Sequence, residues 1–399
     1  MRPKTARLGG VLAAGVALSL ALAACGGGDT GTTAEGGDTA AAPTTLKIGF
    51  IGDLTGDNAA IVIPPRNGAQ LAIDEYNATN PKVKVELIPY DSKADPSTAA
   101  NLAKTAIQKD KVVGIIGPAF SGESQQVQPI LEEAKVPSIS ASATRTALAD
   151  AGAKYWHRVV ANDDVQGPAA AEFVARAVTP KKAFVIDDKS PYGQGLAQAV
   201  TTALKGKSEV QSDSFEATAT DFSSTVNKVA AFNPDFIFFG GYYAQAGPLI
   251  KQLRDKGVKA RVMSGDGSLH SNLIEGAGTE QAEGTLLSCP CKIAYAWAEA
   301  DENSKKFTET FKTKFSGQLP EIYATEGYDA ATAFLKAIGE GKVTTEDINT
   351  YLTSVDFAGL GKPIKFTEKG EVADTSVYIY QVKGGQIVSV GDAKDANLS

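Results

Sequence analysis

Cysteine and histidine are scarce in this chain. Its 399 residues hold three cysteines and two histidines. The two histidines are far apart in sequence, and only Cys289 and Cys291 lie beyond the first twenty-five residues, so no metal is expected. The formal net charge is −7 and there is no basic block, which argues against a nucleic-acid partner. Long apolar runs are also scarce. Beyond the first twenty-five residues no segment is long and apolar enough to span a bilayer. The chemistry-bearing motifs are missing too: there is no P-loop, no G-x-S-x-G elbow and no H-E-x-x-H. Gly193-Gln194-Gly195 begins like a dinucleotide fingerprint, but Gln198 stands where its third glycine belongs. Ser121 as a nucleophile would need a base, and neither His157 nor His270 is placed to suggest itself. A noncatalytic chain without a cofactor is the reading that survives.

What remains is a leader and a long alternation. Arg2, Lys4 and Arg7 precede an apolar stretch from Leu8 to Ala24, the layout of a secretory signal. It ends in Leu22-Ala23-Ala24-Cys25, which matches a lipobox. Residues 1–25 are read as a lipoprotein signal peptide, with Cys25 lipidated after cleavage. Residues 26–45 carry almost no large apolar side chain and read as a flexible tether. A lipid-anchored protein on the extracytoplasmic face of the cell membrane is expected.

From Leu46 onward short β-branched or aromatic runs alternate with helical spacing, which predicts parallel, doubly wound α/β sheets. Val112–Ile116 predicts a strand and Glu123–Ala134 a helix, so Gly117-Pro118-Ala119-Phe120-Ser121-Gly122 joins them. Such a turn presents free backbone N–H groups and a helix dipole to an anion. The next predicted strand ends in Ala141-Ser142-Ala143-Thr144. A second alternation starts after Asn162, where Pro168 suits a first helical turn. Its strands predict carboxyl ends carrying Tyr192, Tyr242 and Asp266. Cys289-Pro290-Cys291 follows the strand Gly284–Ser288 and is either a tight local disulfide or two free thiols. The division expected is 46–161 and 289–367 in one lobe, 162–288 and 368–392 in the other, with 393–399 as a tail.

These residues together resemble the leucine/isoleucine/valine-binding proteins, the class I solute-binding proteins of ABC importers. The resemblance runs from Leu46 to about Asp392. It is carried by Ile48-Gly49-Phe50-Ile51 with Thr55-Gly56, Tyr90-Asp91 with Asp95-Pro96, Gly117 to Ser121 and Ala141 to Thr144. It continues in Asp163-x-x-Gln166-Gly167-Pro168, Tyr192-Gly193-Gln194-Gly195 and Gly240-Gly241-Tyr242. It implies two Rossmann-like lobes joined by a three-crossing hinge, the type I periplasmic binding protein fold. It places a ligand carboxylate on Ser121, the backbone of Ser142, and Thr144. It places the ammonium on Asp266, walls the pocket with Tyr192 and Tyr242, and sets Tyr323 at an aromatic pocket position. Three departures stand out. The family's first-lobe pocket tyrosine aligns near Ile61, its disulfide positions fall at Ala94 and Phe120, and Asp266 is shorter than the usual glutamate. Implied in turn are an aliphatic amino acid as ligand, ABC permease membrane subunits as partners, and a monomer. The alternatives are an amide, urea or other small polar ligand, a ligand sensor, or a secreted enzyme on the same fold.

Overall fold

The structure is a computed structural model, and it describes residues 44–398. The expected signal peptide, Cys25 and nearly all of the tether lie outside the described residues. The tether ends sooner than expected, because Thr44 and Thr45 already belong to the first strand.

The first sheet is formed by β1 (Thr44–Gly52), β2 (Val83–Asp91), β3 (Gly114–Ile116), β4 (Ser138–Ser140) and β5 (Trp156–Arg158). All its pairings are parallel, in the order β2-β1-β3-β4-β5. Helices cover both faces of such a sheet, so its strands read as apolar runs rather than alternating ones. Ile48, Ile51, Ile115, Ile116 and Ile139 are fully buried.

The second sheet repeats the plan. It contains β6 (Lys182–Asp187), β7 (Glu209–Ser214), β8 (Phe236–Gly240), β9 (Arg261–Ser264) and β10 (Leu286–Cys289). A small hairpin, β11 (Asp356–Ala358) with β12 (Pro363–Lys365), interrupts the chain before β13 (Tyr378–Lys383) and β14 (Gln386–Asp392) complete the sheet. The order is β14-β13-β10-β9-β8-β6-β7, with β13 and β14 antiparallel to their neighbours. Gly384 and Gly385, both at positive φ, make the predicted turn between them. The exposed strand β7 is the sheet's polar edge.

In both sheets the strand order reverses direction at one point, between β1 and β3 in the first and between β6 and β8 in the second. At such a switch point the loops leave in opposite directions and open a crevice at the strands' carboxyl ends. The turn after β3 stands at the first switch point. The turns after β6 and β8, which carry Tyr192 and Tyr242, stand at the second.

The chain crosses between the sheets three times. It leaves the first after β5, and after β10 it returns to lay the helices Glu302–Lys314 and Ala324–Gly339 against the helix Ile63–Ala78. After β12 it goes back to β13. Cys289 and Cys291 are joined by a disulfide at the second crossing, with Cα atoms 5.0 Å apart. The Tyr380 hydroxyl donates to the carbonyl of Cys291 at 3.0 Å and accepts from the N–H of Ile293 at 3.0 Å. The last residues pack on the second lobe, where Arg176 Nη2 donates to the Ala393 carbonyl at 2.8 Å.

One helix begins earlier than the sequence suggests. Asn162 caps it, accepting from Val165 N–H at 3.2 Å, so it spans Asp163–Ala177 and Pro168 falls inside it. The helix Thr345–Leu352 and the β11–β12 hairpin are not anticipated by periodicity.

Candidate functional site

The first-lobe half of the site is two stitched turns. Gly117 has φ +109, and a Cβ there would lie 2.7 Å from the Ile51 carbonyl, so only glycine fits. Ser121 opens the helix Ser121–Ala134, two residues ahead of the predicted start. Its first turn leaves N–H groups without intrahelical partners. Ser140 Oγ donates to the Pro118 carbonyl at 2.8 Å, and Ser142 Oγ donates to the Ala119 carbonyl at 2.7 Å. Ser121 Oγ accepts from the Arg145 N–H at 3.3 Å. The two turns therefore keep a fixed spacing.

A buried arginine secures this arrangement from behind. Arg158 Nη1 donates to the carbonyls of Ala143 at 3.0 Å and Arg145 at 2.9 Å, on either side of Thr144. Its Nε donates to Glu371 at 2.7 Å, and Nη2 completes a forked pair with the same carboxylate. Glu371 belongs to the third crossing, so the hinge and the Thr144 turn share one ion pair.

The second-lobe half is aromatic and acidic. Asp266, 2% exposed, accepts from the Tyr192 hydroxyl at 2.9 Å and from the Tyr323 hydroxyl. Tyr192 also accepts from the Gly267 N–H at 2.9 Å. Burial raises the Asp266 carboxyl above its ordinary value, while the tyrosine bonds hold it down. Burial likewise lifts the phenols of Tyr192, Tyr242 and Tyr323 well above theirs, with the Asp266 charge adding to the effect. A carboxylate offers about four lone-pair positions. Two are used by the tyrosines, which leaves room for a further donor such as an ammonium.

The two halves meet. Ile61, Val62, Ala119, Phe120, Ser121 and Ser142 face Tyr192, Tyr242, Asp266, Gly267 and Tyr323 around a cavity of about 10 Å3. That is at most the room of one water molecule. Phe120 packs edge-on to Tyr242, with centroids 5.1 Å apart. Tyr323, from the first lobe, reaches Asp266 in the second. Farther out, Tyr243 hydroxyl donates to the Asp57 carbonyl at 2.6 Å, and Ser271 Oγ donates to Glu321 at 2.9 Å.

Of the residues singled out from sequence, Ser121, Ser142, Tyr192, Tyr242, Asp266 and Tyr323 line this cavity. Thr144 stands just behind it, fully buried, and does not line it. Arg145, next to Thr144, donates from Nη1 to the Pro191 carbonyl of the second lobe at 2.5 Å. Asp53 makes a loop-end contact, accepting from Gly56 N–H at 2.6 Å and Asn58 N–H at 3.1 Å. Ile61 lies in the wall, where the aligned tyrosine would be. Phe120 and Val62 also line the cavity, Phe120 from inside the strand-to-helix turn, and no local pattern marks either one. His157 and His270 are both buried. Among the described residues, no cluster of three or more His, Cys, Asp or Glu side chains is placed to hold a metal ion.

Comparison with known proteins gives this arrangement relatives. A family model described as periplasmic binding protein matches residues 45–386. A leucine-, isoleucine-, valine-, threonine-, and alanine-binding protein of Pseudomonas aeruginosa is 29% identical over 346 residues, 85% of this chain and 90% of that protein. The crystal structure of a leucine binding protein, LivK, from Thermotoga maritima is 30% identical with a TM-score of 0.80. It covers 88% of this chain and 99% of its own. The branched-chain amino acid transporter substrate binding protein LivJ of Streptococcus pneumoniae, in complex with isoleucine, is 27% identical with a TM-score of 0.80. It covers 87% of this chain and 100% of its own.

Proposed function

The chain belongs to the periplasmic binding protein family, and on that premise we propose that it captures a branched-chain aliphatic amino acid and delivers it to the membrane subunits of an ABC importer. It is an extracytoplasmic solute-binding protein; the ligand, the delivery and the anchor are the proposal. One observation carries the reading. A serine-lined strand-to-helix turn on one lobe faces a buried carboxylate on the other, across Ile61, Val62, Ala119 and Phe120. That is the charge pattern of a zwitterion with a modest apolar side chain. The turn and Ser121 suit a carboxylate without any cation. Asp266 suits an ammonium, because a buried charge must be paired, and Tyr192 and Tyr242 add cation–π attraction. Ser142 contributes its backbone and Thr144 its hydroxyl, and Tyr323 closes the pocket. The named ligands of the relatives, leucine and isoleucine among them, support this choice.

The cavity is far smaller than an amino acid, so the lobes part to admit one and close over it. We take 46–161 with 289–367 as one moving body and 162–288 with 368–392 as the other, hinged at the three crossings. Cys25 carries the lipid that keeps the monomer at the membrane.

A thermal-shift panel of the twenty amino acids with simple amides and urea tests the ligand. A true ligand at about 100 times its dissociation constant adds roughly 2.7 kcal/mol of stability. Leucine, isoleucine or valine should raise the melting temperature most. A panel in which only an amide or urea does so overturns the assignment. Cys25→Ser should free the protein from membranes or stall its processing; a fully processed variant still in the membrane fraction overturns the anchor.

A further inference from the structure

Behind the pocket lies a polar pair that the reading above does not explain. Asp163 is 1% exposed and Thr144 is 0% exposed. Among the described residues, neither carboxylate oxygen of Asp163 has a hydrogen-bond partner, and neither does Thr144 Oγ1. The two residues are tied together by their backbones, with Asp163 N–H donating to the Thr144 carbonyl at 2.9 Å. Thr144 faces the carboxyl closely enough to favour its charged form, although the two groups are out of hydrogen-bond alignment. The carboxyl fits against Gly195: a Cβ there would lie 2.9 Å from Asp163 Oδ2. On its other side Asp163 borders an open groove of about 580 Å3.

The charges around Asp163 do not neutralise it. Arg158 is the nearest favourable one, but its guanidinium is spent on Glu371 and on the carbonyls of Ala143 and Arg145. Arg145 itself donates to the Pro191 carbonyl. Asp164 and Asp266 are like charges that oppose ionisation. Tyr192 and Tyr242 face it as neutral phenols. In the groove, Glu172 and Lys207 are of opposite sign. Burial, the largest influence, pushes the carboxyl up to about 7. A buried carboxylate without a cation takes a proton instead.

A proton here also has a use. If Thr144 is to donate its hydroxyl hydrogen to a ligand carboxylate, something should donate to its oxygen, and a protonated Asp163 has that hydrogen. An ionised Asp163 would instead set a second negative charge beside the anion subsite. We propose that Asp163 is a positioning residue: it binds a proton as the lobes close on the ligand, and in that form it orients Thr144 as a donor to the ligand's carboxylate. This rests on the reading of the pocket as an amino-acid site. No bond other than O–H changes; the proton comes from solvent and returns there on release.

The sign follows. On this proposal Asp163 is hydrated with the lobes apart and titrates there near an ordinary carboxyl, about 4. Closure raises it, so binding takes up a proton between about pH 4 and about pH 7, and affinity falls by up to about tenfold per pH unit across that window. Above it the dependence levels off. Calorimetry with L-leucine at about pH 6, in buffers of different ionisation heat, should give an uptake approaching one proton in the parent. Asp163→Asn keeps an N–H donor without titrating, so it should bind leucine with no such uptake. The parent-to-variant affinity ratio should fall between about pH 5 and about pH 7. No uptake or a net release in the parent, a measurement that needs no variant, overturns the proposal, and so does equal uptake in Asp163→Asn. If leucine fails to bind the parent at any pH, the amino-acid reading itself falls and takes this inference with it.

Discussion

Replacing Asp266 by alanine is the sharpest perturbation of the proposed site. In the parent its carboxylate takes two phenolic hydrogen bonds, from Tyr192 at 2.9 Å and from Tyr323, and keeps lone pairs for a third donor. Truncation removes the ammonium's counter-charge and strands two buried hydroxyls. Removing one partner of a buried, hydrogen-bonded charge pair costs about 2–5 kcal/mol of binding, about 30-fold to several thousand-fold in affinity. The free protein should lose less, because two opposing changes partly cancel. The variant loses two charge-assisted bonds, worth about 1.5–3 kcal/mol each. It also loses a carboxylate whose burial already disfavours its charge. Calorimetry with leucine and urea unfolding without it, run side by side, separate the two effects. An Asp266→Ala variant that binds leucine as tightly as the parent refutes the ammonium assignment. A variant that loses binding only because it unfolds refutes the cancellation.

Two further expectations concern the frame. Arg158→Ala breaks a buried ion pair that also holds the Thr144 turn, so it should cost about 3–5 kcal/mol of stability; a change below about 1 kcal/mol in urea unfolding would place the pair with ordinary surface bridges. His157 is buried beside Phe366, and burial lowers it to about 4 from 6.5. The unfolded chain therefore binds a proton before the native one does, and its contribution is present above about pH 6.5 and lost as pH falls toward about 4. Comparing the parent with His157→Phe by urea unfolding, the parent should lose about 2 kcal/mol relative to the variant between about pH 7 and about pH 5; parallel losses in both would sink the argument.

Much of this architecture is legible in the chain because buried parallel strands leave a plain mark. Runs such as Phe236–Gly240 and Ala183–Ile186 are apolar throughout, and the turns between them are rich in glycine, proline and serine. The residues that close the pocket are legible only in part. Tyr192, Tyr242 and Asp266 follow strands directly, so position alone nominates them. Phe120 and Val62 take their meaning from the opposing lobe, which no local pattern encodes. Arg158 and Glu371 lie 213 residues apart and meet only through the crossings. Asp163 reads as an ordinary helix-start acid until Thr144 and Gly195 are folded around it. The helix Thr345–Leu352 had a signal that periodicity passes over, since Thr344 accepts from the Asp347 N–H at 3.2 Å as its cap.

On the proposed closure, the contacts that cross between the lobes belong to the closed form. They are Tyr323 to Asp266, Tyr243 to the Asp57 carbonyl and Arg145 to the Pro191 carbonyl, each a bond between protein groups. A ligand can shift the open–closed balance only by the difference in its affinity for the two forms. Every increment these contacts add to the closed form tightens the apparent affinity for ligand. It also raises the fraction of molecules that close with nothing inside. For a receiver that reads shape alone, the same bonds therefore set a background: strengthen them and the protein holds its cargo better while announcing it less truthfully.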